Sequence, residues 1–261
     1  MKRTFALLTS LLLTVFGAAL PATQAQIGTL EPTLAGTAVE LPGGLRLESA
    51  VSEEHLTNPK LDITVRKPVL VGDNRTMLAA FNDEVDRIVK DTVGSFRDEI
   101  VQANSVATLP PEIASLGSYI DLNYDIYHVD EALISIKFNV DWYGAGAAHP
   151  NTYSMTLNYD LQNAKVLELA DLFKPKSKFL EALANYSTER LKEAGVLIFP
   201  EGAEPKPENY RSWNISMNGL VINFDDYQVA PHAVGPQQVT VPYSVLQALI
   251  RPDGPLMRLI K

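Results

Sequence analysis

The sequence predicts an α+β protein in which an antiparallel sheet carries a long helix on one face and is followed by a smaller α/β unit. Three observations predict this. Apolar residues recur at steps of three or four across residues 76–103, as in a helix with one buried stripe. Three runs of alternating apolar and polar residues follow between positions 120 and 160, which is typical of strands that bury one face. Shorter strand, turn and helix signals then fill residues 161–250.

The first half contains a short strand signal and the clearest helix. Leu61, Ile63 and Val65 alternate with polar residues, and Pro68 restricts this strand to a sheet edge or a bulge. Thr76 suits the N-cap of the helix that follows. The apolar stripe of that helix consists of Phe81, Val85, Ile88, Thr92, Phe96 and Ile100.

The loop of residues 142–151 connects the second and third alternating runs. Gly144 and Gly146 tolerate positive φ, and Pro150 fixes φ before the next strand begins. Trp142 has the inward parity of its strand, whereas Tyr143 has the outward parity. His149 is the unusual side chain of this loop. It either pins the loop through a hydrogen bond to the backbone or contacts a ligand or partner.

The second half is shorter and more varied. Residues 160–169 predict a strand, a turn and a short strand, and a helix follows with Gly195 as its stop. Residues 200–209 are rich in proline and predict a surface loop. Asn218 and Gly219 predict a hairpin turn between two strands. A last strand around Val239 and a helix over residues 244–250 complete the unit.

Composition and the N-terminus limit the function classes. The 261 residues have a formal net charge of −9 and contain no cysteine. An acidic chain lacks the basic face that nucleic acid requires, and the missing thiols exclude disulfides and cysteine nucleophiles. Lys2 and Arg3 precede an apolar run over residues 5–20, which predicts a signal peptide cleaved before Gln26. We therefore predict an exported protein, periplasmic or secreted, without membrane insertion after cleavage.

The second half and the loop around His149 carry a family pattern. Its parts are residues 160–173 (DLQNAKVLELADLF), 219–231 (GLVINFDDYQVAP) and 235–243 (GPQQVTVPY). Together they resemble the RsiV/PdaC-type domain of unknown function. That domain forms the extracellular part of lysozyme-sensing anti-sigma-V factors and precedes the catalytic domain of some peptidoglycan deacetylases. Two positions depart from the family: Ala164 replaces a glycine, with Asn163 able to supply positive φ, and His232 replaces an aromatic residue.

The resemblance completes the predicted organisation of the chain. We divide it into a signal peptide (1–25), a linker leading into an irregular segment or edge strand (26–58), an N-terminal α+β subdomain (59–160), a C-terminal RsiV-like subdomain (161–250) and a tail (251–261). The sequence shows neither a deacetylase domain after this pattern nor a cytoplasmic segment before the apolar run. We therefore expect that neither the deacetylase activity nor the anti-sigma role of the family carries over to this protein.

The resulting hypothesis is an exported, stand-alone binding or sensor domain of the cell envelope with no catalysis of its own. The resemblance and the acidic charge imply a basic wall-associated protein such as lysozyme, or peptidoglycan fragments, as partner. Without a catalytic or metal motif, we predict no catalytic residue, metal or cofactor. The candidate partner-binding residues are Tyr143, His149, Asn151, Tyr227 and His232.

Two alternatives remain open. One is an envelope hydrolase or metal-dependent enzyme in which His149 and His232 converge with Asp225 or Asp226. The other is a structural envelope protein of unknown ligand. The first alternative requires the two loop histidines to lie close together.

Overall fold

The computed structural model describes residues 33–34, 38–73, 75–106 and 109–260, so the predicted signal peptide lies outside the described residues. Eleven strands and four α-helices are assigned in these ranges. They are β1 (Thr33–Leu34), β2 (Val39–Leu41), β3 (Leu45–Thr57), β4 (Lys60–Val71), α1 (Arg75–Val106), α2 (Pro111–Ala114), β5 (Ser118–Val129), β6 (Leu133–Tyr143), β7 (Asn151–Asp160), β8 (Lys165–Val166), α3 (Phe179–Glu193), β9 (Trp213–Ile215), β10 (Gly219–Phe224), β11 (Gln237–Pro242) and α4 (Tyr243–Leu246).

The strands form two sheets. The larger has the order β2-β3-β4-β5-β6-β7-β8, with β1 paired to β5, and the smaller has the order β11-β10-β9. Neighbouring strands are antiparallel except β4 and β5, which are parallel and are connected through α1. A parallel pair needs such a crossover because a tight turn reverses the chain. The predicted α+β class is confirmed.

Helix α1 covers one face of the large sheet. Its side chains Phe81, Val85, Phe96 and Ile100 are at most 5% exposed and share a core with the inward residues of β4 to β7. The predicted stripe therefore packs as its spacing requires. Trp142 is partly buried, packs against this core and meets Phe96 edge to face, with ring centroids 6.2 Å apart.

The N-terminal strands are longer than the sequence indicates. β3 extends to Thr57 and pairs with β4 along its length, so residues 45–57 are a strand where we predicted an irregular segment or an edge strand ending at Val51. β4 continues through Pro68 to Val71. Beyond Val65 it has β3 alone as its partner, which explains why a proline without an N–H is tolerated. Helix α1 begins at Arg75, so Thr76 lies inside it rather than at its N-cap.

The smaller sheet and α3 enclose a second core. Tyr210, Trp213, Phe224 and Leu183 are buried there, together with Leu133 from the large sheet. The last helix, α4, ends at Leu246 instead of Ile250. In the turn after β7, Ala164 itself takes the positive φ of 48° that we had assigned to Asn163. None of the described helices combines the length and apolar character that a membrane span requires.

A buried polar network connects the two sheets. Ser135 Oγ donates to Asn158 Oδ1 (2.6 Å), and Asn158 Nδ2 donates to the carbonyl of Trp213 (2.8 Å). Asn214 Nδ2 donates to Ser135 Oγ (3.0 Å), and Asn223 Nδ2 donates to Asn214 Oδ1 (3.0 Å). These four side chains are at most 2% exposed. Ser135 and Asn158 are on the face opposite to α1, so this network attaches β9 and β10 to that face.

Replacement of Asn158 by alanine tests the network. The variant removes the acceptor of the Ser135 hydroxyl and the side-chain donor to the Trp213 carbonyl, and we expect the free energy of unfolding to fall by about 1–3 kcal/mol. Chemical denaturation measures this change. Gln162→Ala, an exposed position in the turn after the same strand, should stay within about 0.5 kcal/mol of the parent. Equal losses in the two variants would contradict a structural role for the network.

Candidate functional site

A grid of polar side chains covers the outer face of β5, β6 and β7. Because the strands pair in register, the outward residues form three rows: Asp121-Asp141-Thr152, Asn123-Asn139-Ser154 and Asp125-Lys137-Thr156. The grid is continuous with the positions of Ser135 and Asn158, which are buried under the small sheet. One face thus supplies both the junction between the sheets and an open polar surface.

The loop of residues 225–236, between β10 and β11, closes one side of this surface. Ser154 Oγ donates to Asp225 Oδ1 (2.8 Å), and Thr152 Oγ1 donates to Asp226 Oδ2 (3.0 Å). Gln228 anchors this loop to the segment of residues 202–209, because its Nε2 atom donates to the carbonyl oxygens of Gly202 and Asn209. Between grid and loop lies a cavity of about 170 Å³.

Carboxylates dominate the charge of this cleft. Asp121 and Asp141 are directly opposite each other on neighbouring strands, and Asp225 and Asp226 face them from the loop. Burial raises the pKa of Asp121 and the negative charge of Asp141 raises it further, while the positive charge of Arg66 partly opposes this shift. Lys137 also lines the cavity. Burial lowers the pKa of its amine, although the nearby charges of Asp125 and Asp225 partly oppose this shift.

A stack of rings stands beside the cleft. His232 lies parallel to His149, with ring centroids 5.1 Å apart, and to Tyr227, with centroids 5.8 Å apart. His232 Nδ1 is 3.0 Å from Asp226 Oδ2, and His149 Nδ1 is 2.7 Å from the carbonyl oxygen of Pro150. A carboxylate and a carbonyl only accept, so in each neutral ring Nδ1 carries the proton and Nε2 has the lone pair.

Three of the five candidate residues therefore come together. His149, Tyr227 and His232 form the stack, whereas Tyr143 stacks on Tyr119 (6.1 Å) and Asn151 begins β7 opposite Trp142 in the ladder. The two histidines converge with Asp226, as one of the alternatives required. His149 also makes the backbone hydrogen bond that pins the loop, and its contact with a ligand or partner stays a prediction.

Sequence reasoning missed the polar grid. We assigned its residues to a solvated strand face, because alternation alone does not distinguish an open face from the floor of a cleft. The available signal was the polar character of the outward positions from Ser135 to Asp141 and of their neighbours on the two flanking strands. Within the described ranges, no group of three or more His, Asp or Glu side chains is arranged to hold a metal ion.

One family model and two crystal structures match this protein. Residues 170–244 match the model of a family described as a protein of unknown function (DUF3298). A crystal structure of a DUF3298 member from Bacteroides fragilis matches 88% of this chain and 99% of its own, with a TM-score of 0.61 and 16% identity. A DUF3298 structure from Pseudomonas aeruginosa matches 82% of this chain and 96% of its own, with a TM-score of 0.56 and 15% identity.

Two curated proteins are also similar. The peptidoglycan-N-acetylmuramic acid deacetylase PdaC of Bacillus subtilis is 28% identical over 191 residues, which are 70% of this chain but 41% of the deacetylase. A Mycobacterium tuberculosis protein named as an esterase is 24% identical over 212 residues, 79% of this chain and 86% of its own. The resemblance drawn from the sequence is confirmed: residues 170–244 match the DUF3298 model, and the chain is similar to PdaC and to the DUF3298 structures.

These relatives correct one expectation. We predicted a domain without catalysis of its own, but both curated relatives are named as enzymes, a deacetylase and an esterase. The prediction relied on local motifs. The His232–Asp226 contact lies within the loop of residues 225–236, but His149 and Thr152 reach it from a distant part of the chain, so the group as a whole has no local motif.

Gly202 gives a test of the loop that carries the site. A Cβ atom at this position would lie 1.8 Å from the carbonyl oxygen of Gln228. Gly202→Ala should therefore displace residues 225–228, lower the free energy of unfolding by about 1–3 kcal/mol, and speed amide exchange at Ser154, whose N–H donates to Asp225.

The matched control is Gly94→Ala. It adds the same methyl group inside α1, where nothing lies within 4 Å. This variant should gain about 0.5–1 kcal/mol of stability from helix propensity, with amide exchange at Ser154 unchanged. If Gly202→Ala left that exchange unchanged as well, the proposed support of the loop would be wrong.

Proposed function

We propose that this protein is an exported cell-envelope domain that binds a cell-wall saccharide in the cleft between the polar grid and the loop of residues 225–236. The observation that carries the proposal is the combination of a floor of hydroxyl, amide and carboxylate groups with an exposed ring stack at its side. Sugars offer many hydroxyl donors and acceptors together with an apolar ring face. Such a surface complements both.

The size of the cavity supports a small ligand group. Its volume of about 170 Å³ is below the roughly 300–1,000 Å³ of a pocket that encloses a drug-sized molecule. The cleft thus accommodates one unit of a longer chain, while neighbouring units extend across the exposed stack. The deacetylase relative is named for a peptidoglycan substrate, which agrees with this ligand class. Because the present chain spans 41% of that relative, the deacetylase activity itself is not inferred.

Tyr227 is the residue with which to test saccharide binding. Its side chain is 59% exposed, and its backbone φ is 63°, which a residue other than glycine adopts at a cost in free energy. Tyr227→Gly removes the ring and that cost together, so the protein should stay folded. We expect the dissociation constant for oligomers of N-acetylglucosamine to rise about three- to tenfold, as measured by calorimetric titration.

Ala164→Gly is the matched control, because Ala164 also has positive φ but lies in the turn after β7. Its binding should equal that of the parent protein. Titration with lysozyme and with peptidoglycan fragments belongs to the same experiment. Saturable binding of lysozyme alone would instead support the protein partner that the family resemblance implies. Absence of saccharide binding by the parent protein at low salt would contradict the proposal.

A second candidate function is ester hydrolysis at the His232–Asp226 pair. The specific observation is the 3.0 Å contact between His232 Nδ1 and a carboxylate that is 9% exposed. A carboxylate in this position orients an imidazole whose Nε2 takes a proton. Water would attack the acyl carbon and give its proton to Nε2, the ester C–O bond would break, and the proton would then pass to the leaving alkoxide. The esterase relative adds support.

His232→Gln tests this second function, with His55→Gln as its control. His55 forms another exposed imidazole–carboxylate pair, 2.7 Å from Asp62 across β3 and β4 and away from the cleft. If the protein hydrolyses acetate esters of N-acetylglucosamine, His232→Gln should lower the rate about 100-fold or more, whereas His55→Gln should not change it. Acetate release measures both rates, and equal rates in the two variants would exclude His232 as the base.

A further inference from the structure

A second depression adjoins the loop that closes the cleft. Asp225 and Asp226 line the cleft, whereas the next two residues, Tyr227 and Gln228, line this second depression, which has a volume of about 570 Å³. The four residues form one tight turn, in which the N–H of Gln228 donates to the carbonyl of Asp225 (3.1 Å). This turn, residues 225–228, is therefore a ridge between two concave surfaces.

The segment of residues 199–209 forms the other wall of the second depression. The N–H of Phe199 donates to the carbonyl of Val229, directly after the ridge (2.9 Å). The side chain of Gln228 donates to two carbonyl oxygens of the segment, at 3.0 Å each. Because these hydrogen bonds join the wall to the ridge, the two concave surfaces keep a fixed spacing.

Phe199 and Tyr227 bring two aromatic rings to the second depression. Phe199 is partly buried, and Tyr227 is exposed. Tyr227 also stacks on His232, which in turn stacks on His149. Tyr227 thus belongs both to the ring stack beside the cleft and to the second depression, and the rings form one series that runs from His149 to Phe199.

Polar groups surround the rings of the second depression. Glu201, Lys206 and Glu208 are exposed side chains of its wall, and Asn209 lies between them and the ridge residue Gln228. Aromatic faces bordered by hydrogen-bonding groups are the same combination that the cleft and its ring stack offer. The second depression therefore complements a further sugar unit for the same physical reason.

We propose that the saccharide ligand is an interior stretch of a glycan chain that crosses the ridge, with one unit in the cleft, the next over the ring stack and a following unit against Phe199 in the second depression. This inference rests on the proposed saccharide function and names the ligand class of the same site, a polymer instead of a mono- or disaccharide. Both concave surfaces are open to solvent, so the chain can continue beyond each of them.

The test compares a short and a long ligand on the intact protein. Calorimetric titration gives the dissociation constants of the dimer and the hexamer of N-acetylglucosamine for the parent protein and for Phe199→Ala. The dimer occupies the cleft and the ring stack, whereas the hexamer also reaches the second depression. Phe199→Ala should raise the dissociation constant of the hexamer about three- to tenfold and leave that of the dimer within about twofold.

Two further variants separate the ring of Phe199 from the fold of its segment. Ile198→Ala shortens the neighbouring side chain, which is 53% exposed and is not among the described residues that line the second depression. It should change neither dissociation constant by more than about twofold. Phe199→Tyr keeps an aromatic face and should keep the affinity for the hexamer. The amide resonance of Asn209 should shift when the hexamer binds but not when the dimer binds.

The outcomes distinguish the two proposals. If both oligomers bind the parent and Phe199→Ala changes neither affinity, the extended site is overturned while saccharide binding stands. Equal losses for dimer and hexamer in Phe199→Ala, or an equal loss for the hexamer in Ile198→Ala, would also overturn it, because the effect would then not be specific to the second depression. If neither oligomer binds, saccharide binding itself is wrong.

Discussion

The buried hydrogen bonds among Ser135, Asn158, Asn214 and Asn223 are the constraint on which the rest of this structure depends. Apolar packing alone would allow the small sheet to slide over the large one, since dispersion and burial are not directional. Hydrogen bonds between buried amides and hydroxyls are directional, and an unmade one is costly. The network therefore fixes where β10 ends, and with it where the loop of residues 225–236 meets the polar grid.

One alternating pattern serves two purposes along the same strands. At one end of β6 and β7 the outward positions, Ser135 and Asn158, are buried and bond to the small sheet. Further along, Lys137, Asn139 and Asp141 occupy outward positions of the same parity and line an open cavity. The difference is whether a second layer covers the strand. That layer comes from residues more than 50 positions away, and no property of the strands themselves reveals it.

Sequence reasoning was therefore successful where the structure depends on local spacing. The stripe from Phe81 to Ile100 and the inward residues of β5 and β6 are buried as their periods predict. Sequence reasoning was less successful where the length of a strand depends on the strands with which it pairs. The continuation of β4 through Pro68 follows from the short β4–β5 ladder, and the 13-residue length of β3 follows from its pairing with β4. The convergence of His149 with His232 was foreseen only as an alternative, since it requires two distant loops to be placed by the buried network.

Three features that work against stability occur at the cleft or beside it. Tyr227 has a positive φ, Asp121 faces Asp141 across a ladder, and the Oδ1 atom of Asp226 is buried without a partner in the described structure. All three lie at the cleft or in the loop beside it, although positive φ also occurs at Ala164 and Lys176. A fold keeps such local costs where the arrangement serves a ligand, because a site complementary to a charged or polar group is left unsatisfied when that group is absent. At the cleft these costs accompany the polar floor and the ring stack on which the proposed saccharide site rests.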